Sequence, residues 1–569
     1  MTDKLSAYRR GSGPLPEYYR LWPLYGAGLE NLGKDGRPIE AAFPAYGPDE
    51  LLIRHDACGL CFSDIKVITQ GQSHPRILRD MKTEPVVLGH EVSMTVIGVG
   101  ENLRGLYNAG ERLTLETEIL AKGRSLAYGY WFQGGLSQYS VIGPDIYASD
   151  LGNNLLKVQP DKGYAEIALT EPWACVVAAY VLKYRTEIKP GGTLWVIGAD
   201  DNRAFTLSAG FEAASHPGRL LLTNVPEPFA GWLKRHAAEL GVPVSEVADP
   251  AAPEVEFVDD IVLLGGDAAL IELVSPRLAR FGVLAIMADN PLDRPINVDV
   301  GRIHYQRWLY VGSQGLDIAG AYHDQQVRAD LKPGGRAWFV GAGGPMGRMH
   351  VQRAIEFSGS PGTIVCTDVS DMRLGELCEA FAEQARLKGI EFICINPANP
   401  SDDELRKATI ADAGFDDIIV LAPVPTVISE AATHLASHGV MNVFAGVARG
   451  TVAILDLSDT YLKDTRVIGH SASLISDFEL VLDKTNSGEF SPNRSVAAIG
   501  SLSAAIDGLR AVKDATLVGK VVIYPNIKEM PLTPLPELKD KLPSVYSRLN
   551  EHGEWTNEAE AEFLRLMLP

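Results

Sequence analysis

Two segments in the middle of the chain repeat one another. Residues 189–198 read KPGGTLWVIG, and residues 332–341, 143 positions later, read KPGGRAWFVG. Further along, VDDIVLL at 258–264 corresponds to FDDIIVL at 415–421, 157 positions later. Matches in the same order at a nearly constant spacing indicate a duplicated structural unit with a slightly longer second copy. A chain with this sequence has to fold with two tandem copies of one unit.

The pattern inside the copies predicts their fold class. In the second copy, apolar runs such as TIVCT and IIVLA alternate with amphipathic stretches at Met346–Phe357 and Leu374–Lys388. Buried runs separated by helices are typical of a doubly wound parallel sheet. The region before Tyr164 instead consists of glycines, prolines and short β-type runs such as ELLIRHDA. We therefore predict an α/β fold in which a β-rich domain carries two tandem doubly wound units.

The length of the chain and the position of the copies predict the domain order. A chain of 569 residues is too long for one hydrophobic core. After the second copy, the stretches SLSAAIDGLRAV and GKVVIYP predict a helix and a strand that return to the β-rich domain. The predicted segments are 1–185 for the first part of the β-rich domain, 186–325 for the first copy, 326–480 for the second copy, 481–530 for the return and 531–569 for a C-terminal appendage.

Composition excludes several classes of partner. The formal net charge is −20, so the surface repels a phosphate backbone and a nucleic-acid partner is not expected. No stretch approaches the roughly 20 apolar residues that cross a bilayer, and the N-terminus lacks the apolar segment of a secretory signal. The six cysteines do not form a disulfide pattern, which suits a reducing compartment. We expect a cytoplasmic protein, with Cys175, Cys366, Cys378 and Cys394 in the core.

The second copy contains a glycine-rich turn typical of dinucleotide binding. Residues 341–347 read GAGGPMG, between an apolar run and a helical pattern. Glycines allow close approach of a pyrophosphate, which the amides of the helix N-terminus then bind. Asp368 ends the next strand, 21 residues after Gly347, where a carboxylate accepts hydrogen bonds from ribose hydroxyls. This favours NAD(H), although the nearby Arg373 leaves NADP(H) open. The predicted cofactor residues are Gly341, Gly343, Gly344, Pro345, Met346, Gly347, Asp368 and Arg373.

The first copy lacks these features. The 143-residue spacing places Asp200–Asp201 where the second copy has Gly343–Gly344. Carboxylates at this position repel a pyrophosphate and prevent the close approach of the backbone. Asn224 takes the position of the ribose-binding Asp368. We predict that this Rossmann-like unit is degenerate and does not bind a dinucleotide.

Three short motifs in the β-rich region carry groups that bind metal ions. Residues 57–64 read ACGLCFSD, residues 88–91 read LGHE and residues 170–175 read TEPWAC. A catalytic zinc site needs three protein ligands of the Cys, His or Glu type and one open position. Cys61, His90 and a glutamate would supply that set.

At these motifs the chain resembles the zinc-dependent medium-chain dehydrogenase/reductase (alcohol dehydrogenase) family. The resemblance is greatest to its sorbitol dehydrogenase, threonine dehydrogenase and L-sorbose-1-phosphate reductase branch. Residues 59–64 match the family's G-[IL]-C-x-[ST]-D, residues 89–91 match its GHE, and residues 170–172 match the segment that leads to the cofactor domain. The resemblance covers roughly 40–185 and 326–525. It implies a GroES-like catalytic domain, one catalytic zinc and a Rossmann domain that binds NAD(H).

The resemblance also implies roles for individual residues. Cys61 and His90 are zinc ligands, and either Glu91 or Glu171 is the third. Ser63 begins a proton relay, and Asp64 orients the ring of His90. The family's second, structural zinc needs four closely spaced cysteines, and residues 92–174 contain none, so only the catalytic zinc is expected.

The implied activity is hydride transfer between NAD(H) and a secondary alcohol or ketone. A polyol, sugar or sugar phosphate is the expected substrate, and the aromatic segment 128–135 is expected to cover the site. Between the zinc motifs lie the basic residues Lys66, His74, Arg76, Arg79 and Lys82, which either receive a phosphate or carboxylate or form a solvated loop. Two alternatives stay open, an amino-alcohol dehydrogenase of the threonine type and a non-catalytic nucleotide-binding or assembly protein.

The duplication leads to an expectation about assembly. Family members join their cofactor-domain sheets edge to edge when they form dimers. We expect the two copies to imitate that interface within one chain, as an intrachain pseudo-dimer. A homo-oligomer is also expected, and no membrane partner.

Overall fold

The protein is described by a computed structural model that covers residues 4–13, 15–199, 201–322, 328–411, 414–470 and 472–569. Its residues group into two compact units. The first contains the chain up to Ala178, the short segment Gly344–Met349 and Ala472–Pro569. The second contains Ala179–Gly343 and the chain from His350 to residue 470.

The first unit is built on a largely antiparallel sheet. In spatial order its strands are Leu155–Val158, Arg112–Leu115, Glu91–Val99, Leu51–Gly59, Lys520–Tyr524, Val496–Ser501 and Thr533–Pro534, with Tyr139–Ile142 also paired to Leu51–Gly59. Every residue of the central strand Leu51–Gly59 is buried, so both faces of the sheet are covered at its centre. The sheet therefore interleaves strands from before and after the two copies.

Smaller elements complete the first unit. Two-stranded ladders join Tyr18–Leu21 to Ile39–Ala42, Pro23–Leu24 to Val86–Val87, and Glu118–Ala121 to Arg124–Ala127. The α-helices are Lys4–Arg9, Phe62–Gln70, Pro144–Tyr147, Tyr164–Ala168, Thr170–Ala178, Ile475–Ser487, Ala505–Asp514, Leu538–Lys541, Pro543–Tyr546 and Asn557–Met567.

The C-terminal segment 531–569 contacts the rest of the first unit through a buried carboxylate. Glu560 lies in the helix Asn557–Met567 and is buried. It accepts hydrogen bonds from the amides of Tyr164, at 2.5 Å, and Ala165, at 2.7 Å. These are the first two residues of a helix, where unpaired amides and the helix dipole favour a negative charge. The last helix of the chain thus caps the helix that precedes the Glu171 segment.

The second unit contains two six-stranded parallel sheets with the same strand order. The first copy is ordered Val244–Glu246, Arg219–Thr223, Thr193–Gly198, Val258–Leu264, Leu278–Met287 and Leu309–Ser313. The second copy is ordered Glu391–Ile395, Thr363–Thr367, Arg336–Val340, Phe415–Val420, Leu435–Val443 and Arg466–Gly469. Both follow the doubly wound order in which the chain starts at a middle strand and reverses direction there. The predicted α/β fold with two Rossmann-type units is confirmed.

The helices of the two copies fall between these strands. In the first copy they are Phe229–Leu240, Ala268–Val274 and Val300–Gln306. In the second copy they are Pro345–Glu356, Asp371–Leu387, Asp403–Arg406, Pro425–Ala432 and Asp459–Leu462.

The duplication extends to buried side-chain hydrogen bonds. In the first copy the indole of Trp195 donates to the hydroxyl of Thr223 at 3.0 Å. In the second copy the indole of Trp338 donates to the hydroxyl of Thr367, also at 3.0 Å. A Trp needs a partner for its N–H when it is buried, and both copies satisfy it from the neighbouring strand. The copies therefore share internal bonding as well as topology.

One helix of the second copy has no counterpart in the first. The strand Arg336–Val340 is followed by the helix Pro345–Glu356. After the equivalent strand Thr193–Gly198, the described residues 199 and 201–218 contain no helix before the next strand begins. The described residues of this connection form a loop, so the alternation of strands with helices is interrupted here. Among its described residues, the first copy therefore lacks a helix N-terminus as well as the glycines of the turn.

The two copies pair through one strand each. Ile296–Asp299 runs antiparallel to Val452–Leu455, and Asn297 lies opposite Ile454. Ile454 follows Asn297 by 157 residues, which is the spacing that relates the copies in this part of the chain. One pair of the ladder therefore joins two equivalent residues, as at a twofold axis. Apolar side chains from both copies also share one buried cluster.

The cysteines differ from the prediction. Cys366 is a buried free thiol, as expected for a core residue. Cys378 and Cys394 instead form a disulfide between a helix and a strand of the second copy, so their interpretation as unpaired core thiols is wrong. Cys175 is only partly buried. A spacing of 16 residues in sequence gave no indication of the disulfide.

Within the described part of the chain, no helix is both long enough and apolar enough to cross a bilayer.

We predict that Gly301→Ala disrupts the packing between the copies. A Cβ at Gly301 would lie 2.1 Å from the carbonyl oxygen of Ala448, and backbone gives way only at considerable cost. We expect a loss of about 1–3 kcal/mol in the free energy of unfolding, measured by urea titration. The matched control is Gly375→Ala, also in a helix but with no atom within 4 Å of the new Cβ. That variant should gain up to about 1 kcal/mol. Equal effects of the two would contradict the close contact.

Candidate metal and cofactor sites

Cys61 immediately precedes a helix whose start is capped by its own residue Asp64. The strand Leu51–Gly59 ends two residues earlier, and the helix Phe62–Gln70 begins immediately after Cys61. The backbone amide of Cys61 donates to the Asp64 carboxylate at 3.0 Å, which fixes this turn. The side chain of Cys61 is partly buried and its thiol is free. Ser63, two residues on, has its Oγ 3.5 Å from the Cys61 Sγ.

His90 is held by the same Asp64. The Nδ1 of His90 lies 3.3 Å from the Asp64 Oδ1, and both side chains are buried. Burial lowers the pKa of His90, but the charge of Asp64 and hydrogen bonds to Asp64 and Cys61 outweigh it and hold the pKa well above its usual value. With Nδ1 facing the carboxylate, Nε2 is the ring nitrogen left for a metal ion. The structure places Asp64 beside the ring of His90, and its role in orienting that ring stays a prediction.

Glu91 begins the strand Glu91–Val99, and its carboxylate occupies space that a side chain at Gly59 would otherwise fill. Gly59 pairs with Glu91 across the sheet, and a Cβ there would lie 2.1 Å from the Glu91 Oε2. Glu91 is fully buried and forms an ion pair with Lys520 through its other oxygen, Oε1. The Oε2 atom accepts no hydrogen bond from any described residue. A buried carboxylate oxygen without a partner indicates that a ligand belongs there.

Cys61, His90 and Glu91 converge. One ligand atom from each lies within 4.8 Å of the other two. Thiolate, imidazole and carboxylate are the donors that catalytic zinc sites combine, with a fourth position left for substrate or water. The unpartnered Oε2 of Glu91 and this donor set both fit a zinc ion.

Glu171 lies beside this cluster. It is buried in the first turn of the helix Thr170–Ala178, and it interacts electrostatically with His90 and Glu91. Burial raises the pKa of Glu171 to about 7, against the lowering effect of the charge on His90. The Cys175 thiol donates a hydrogen bond to the Glu171 Oε1 at 3.8 Å. The structure thus places Glu91 in the ligand-atom cluster and Glu171 next to it.

Lys520 is the site residue that sequence reasoning missed. It begins the strand Lys520–Tyr524, whose Val522 pairs with Gly59, which in turn pairs with Glu91. This register brings Lys520 to a carboxylate 429 residues away in sequence. The one available signal was a lysine at the start of the apolar strand GKVVIYP.

The glycine-rich turn of the second copy has the conformation expected of a cofactor loop. Gly341 adopts a φ of 82°, which favours glycine, and its amide donates to the carbonyl of Thr367 at 2.8 Å. The amide of Gly343 donates to the Asp368 carboxylate at 3.0 Å, and a Cβ on Gly343 would lie 2.6 Å from the Cβ of Arg373. The structure therefore brings together the four predicted residues Gly341, Gly343, Asp368 and Arg373.

The other predicted cofactor residues begin the following helix. Gly344 has no atom within 4 Å of the position of a Cβ, so its backbone is accessible. Pro345, Met346 and Gly347 form the first turn of the helix Pro345–Glu356. Proline is favoured at the first position of a helix, and the amides that follow are unpaired. This turn can bind an anionic group.

Asp368 retains acceptor capacity for a ribose. It is buried, and its two oxygens accept amide hydrogen bonds at 3.0 Å from Gly343 and from Ser370. Each carboxylate oxygen has a further lone pair, so two hydroxyl groups can still be bound.

The equivalent place in the first copy is an open cavity of about 580 Å³. Its walls include Asp201, Arg203 and Asp289. Arg203 pairs with Asp201 at 2.7 Å and with Asp289 at 3.2 Å, so part of the negative charge predicted here is compensated. Asp200 lies outside the described residues. The absence of a glycine turn and of a following helix among the described residues is the stronger argument against a pyrophosphate.

Residues of the predicted basic and aromatic segments lie near the cluster of Cys61, His90 and Glu91. The Tyr130 ring lies 6.0 Å from the His90 ring and 5.7 Å from the His74 ring, measured between centroids. Arg76 forms a bidentate ion pair with Glu118, so its charge is neutralised. Lys82 is exposed, and Lys66 is partly buried in the helix that follows Cys61. The predicted aromatic cover thus contacts a predicted zinc ligand.

Comparison with known proteins relates the chain to alcohol and polyol dehydrogenases. Residues 47–149 match the alcohol dehydrogenase GroES-like domain. The chain is 24% identical over 534 residues to the uncharacterised protein YggP of Escherichia coli strain K12, with 92% of both chains covered. It is 27% identical over 312 residues to L-sorbose 1-phosphate reductase of Klebsiella pneumoniae, which covers 50% of this chain and 75% of that protein. The crystal structure of 2R,3R-butanediol dehydrogenase from Bacillus subtilis superposes with a TM-score of 0.50 and 16% identity, over 89% of this chain and 100% of that one.

These findings confirm the resemblance to the zinc-type medium-chain dehydrogenase/reductase family and the GroES-like character of the β-rich domain. The relatives support an oxidoreductase that acts on alcohols.

We predict that Lys520→Met destabilises the metal-free protein by about 3–5 kcal/mol, because the Glu91 carboxylate is left buried without a counter-charge. Urea titration of the chelator-treated protein measures the effect. The double variant Lys520→Met with Glu91→Gln should recover most of that loss, since no buried charge remains. A loss below about 1 kcal/mol in the single variant would show that the pair is not buried as described.

Proposed function

We propose that this chain, whose metal and cofactor motifs resemble those of zinc-type alcohol dehydrogenases, is a zinc-dependent oxidoreductase. It transfers a hydride between NAD(H) and a secondary alcohol or ketone in a polyol, sugar or sugar phosphate. One observation carries the proposal: Cys61, His90 and Glu91 converge within 4.8 Å, and the buried Oε2 of Glu91 has no partner among the described residues.

The residues of the cluster have distinct tasks. When bound, zinc would polarise the substrate oxygen and lower the pKa of the alcohol, so that the proton leaves near neutral pH. Cys61, His90 and a glutamate hold the ion, and Asp64 keeps the His90 ring in place. Ser63, whose Oγ lies 3.5 Å from the Cys61 Sγ, accepts the proton of the substrate hydroxyl and passes its own hydroxyl proton outward. A bound NAD+ would accept the hydride from the carbinol carbon, which becomes a carbonyl carbon.

Two glutamates compete for the third ligand position. Glu91 lies in the ligand-atom cluster, but its Oε1 is bound to Lys520, which withdraws negative charge from the metal. Glu171 forms no ion pair with the described residues, and burial raises its pKa to about 7, so metal binding has to displace a proton from it near neutral pH. We propose that the metal is held by Cys61, His90 and one of these two carboxylates, which can exchange.

The cofactor is bound by the second copy. We propose that the Asp368 carboxylate accepts the ribose hydroxyls and thereby favours NAD(H). Arg373 packs against Gly343 and is close enough to compensate a 2′-phosphate, so NADP(H) stays an alternative. The first copy, whose described residues contain neither the glycine-rich turn nor the following helix, takes no part in dinucleotide binding under this proposal.

The first copy has a structural task in this proposal. Its strand Ile296–Asp299 pairs with the second copy, around two equivalent residues. We propose that this contact stands in for the subunit interface of a dimer, as an intrachain pseudo-dimer. Formation of a homo-oligomer through other surfaces stays a prediction.

We predict about one zinc per chain in the purified protein, and its loss in Cys61→Ser, because a hydroxyl is a much poorer zinc ligand than a thiolate. Elemental analysis measures it. The matched control is Cys58→Ser, three residues earlier, where the thiol is buried and lies outside the ligand-atom cluster. That variant should keep its zinc. Zinc retained in Cys61→Ser would contradict the ligand assignment.

We predict one NADH site per chain that Asp368→Ala weakens about 10- to 100-fold, since hydrogen bonds to a charged acceptor are lost. Calorimetric titration measures the affinity. Asn224→Ala, at the equivalent position of the first copy, is the matched control and should leave the affinity unchanged.

Other outcomes would favour the alternatives. Zinc and NADH binding without turnover of any alcohol would favour the non-catalytic nucleotide-binding protein, and turnover confined to amino-alcohols would favour a dehydrogenase of the threonine type.

A further inference from the structure

Two arginines contact the ring of one tryptophan, Trp131, which follows Tyr130 in the chain. The guanidinium carbon of Arg79 lies 4.5 Å from the centroid of the Trp131 ring, and that of Arg124 lies 5.1 Å from the same centroid. Arg79 also donates a hydrogen bond to the carbonyl oxygen of Trp131. Arg79 and Trp131 are partly buried, and Arg124 is exposed on the hairpin next to them.

The described residues provide neither arginine with an ion pair. Among the described residues, no carboxylate forms an ion pair with Arg79 or Arg124, whereas nearby Arg76 is neutralised by Glu118. The Nε of Arg79 is buried and has no hydrogen-bond partner. Burial lowers the pKa of Arg79, with only a partial opposing effect from Glu84. In a chain with a net charge of −20, two unpaired arginines at one place are a local exception.

Their separation makes an anion the natural ligand. The two ring distances limit the guanidinium groups to about 10 Å from one another, close to the Debye length of about 8 Å at physiological ionic strength. Their repulsion is therefore incompletely screened, and an anion between them relieves it. Guanidinium groups match phosphate oxygens in geometry, and stacking on an aromatic ring pre-organises them.

The position of the pair connects it to the active site. Trp131 follows Tyr130 directly in the chain, and the Tyr130 ring contacts the ring of His90. The arginines are therefore connected to the Cys61, His90 and Glu91 cluster through the adjacent residues Trp131 and Tyr130, within the first unit. A substrate that reaches from the metal past Tyr130 would present its far end to them.

We propose that Arg79, Arg124 and Trp131 form the phosphate-binding part of the substrate site. The inference rests on the proposed function and narrows it: the substrate is a phosphorylated polyol or its ketose phosphate, bound by the metal at one end and by the two arginines at the other. The relative L-sorbose 1-phosphate reductase is named for a substrate of this chemical class.

The first test is steady-state kinetics of the zinc-loaded enzyme on hexitols and ketohexoses, each with and without a phosphate. The wild type should prefer the phosphorylated members. Arg79→Met with Arg124→Met should lower kcat/KM for these about 100-fold, mostly through KM, and leave the non-phosphorylated members unchanged. Lys82→Met, an exposed lysine of the same segment, is the matched control and should change neither class. When Arg124→Met is combined with Arg79→Lys instead of Arg79→Met, part of the lost kcat/KM for the phosphorylated members should return.

Other results would overturn the proposal. An equal loss on both classes of substrate would show that the arginines act only on structure, and an undiminished phosphate preference in the double variant would place the phosphate elsewhere.

A binding measurement separates this proposal from the proposed function. Inorganic phosphate is titrated into the full-length protein by calorimetry, with and without the double substitution. Binding to the wild type that disappears in Arg79→Met with Arg124→Met supports the phosphate site even if no alcohol is turned over. Absence of phosphate binding together with turnover of non-phosphorylated polyols would retain the proposed function and refute the site.

Discussion

The buried ion pair between Lys520 and Glu91 is the interaction on which the catalytic unit depends. It joins the strand that follows both copies to the strand that begins at the GHE motif, across a separation of 429 residues. A buried carboxylate is costly unless it is paired, and here Oε1 has its counter-charge, while Oε2 has no hydrogen-bond partner among the described residues. The same interaction therefore links two strands of this sheet across the strand Leu51–Gly59 that lies between them, and it places a positive charge beside Glu91.

The two copies of the doubly wound unit use one topology for different purposes. In the second copy, glycines, a buried aspartate and a helix N-terminus meet at the edge where the strand order reverses, which is where such sheets bind ligands. In the first copy, the described residues of the same edge form a cavity bordered by ion-paired side chains. What both retain is the internal framework, including the bond between a buried tryptophan and a threonine.

The features that sequence could predict are those encoded locally. The apolar runs and the repeat predicted two parallel sheets, and the helical pattern after the glycine-rich turn 341–347 predicted the helix Pro345–Glu356, because each depends on neighbours in sequence. Lys520 was not predictable, since only the register of three strands brings it to Glu91. The absence of a helix after the first strand of the first copy, among its described residues, was not predicted for another reason. The loss of the glycines in a turn does not show whether the segment after the turn is helical. The disulfide between Cys378 and Cys394 depends on how a helix packs on a strand.

The pairing of the copies around Asn297 and Ile454 has a genetic consequence. In a symmetric homodimer a single gene specifies both sides of the interface, so every substitution appears twice and both subunits must remain able to bind cofactor. When the two halves lie in one chain, each position is inherited separately. One half can then lose its nucleotide helix and keep only the residues that hold its partner, while the other half preserves the chemistry. The asymmetry between the two sheets is a change that an interface made of identical subunits could not have accumulated.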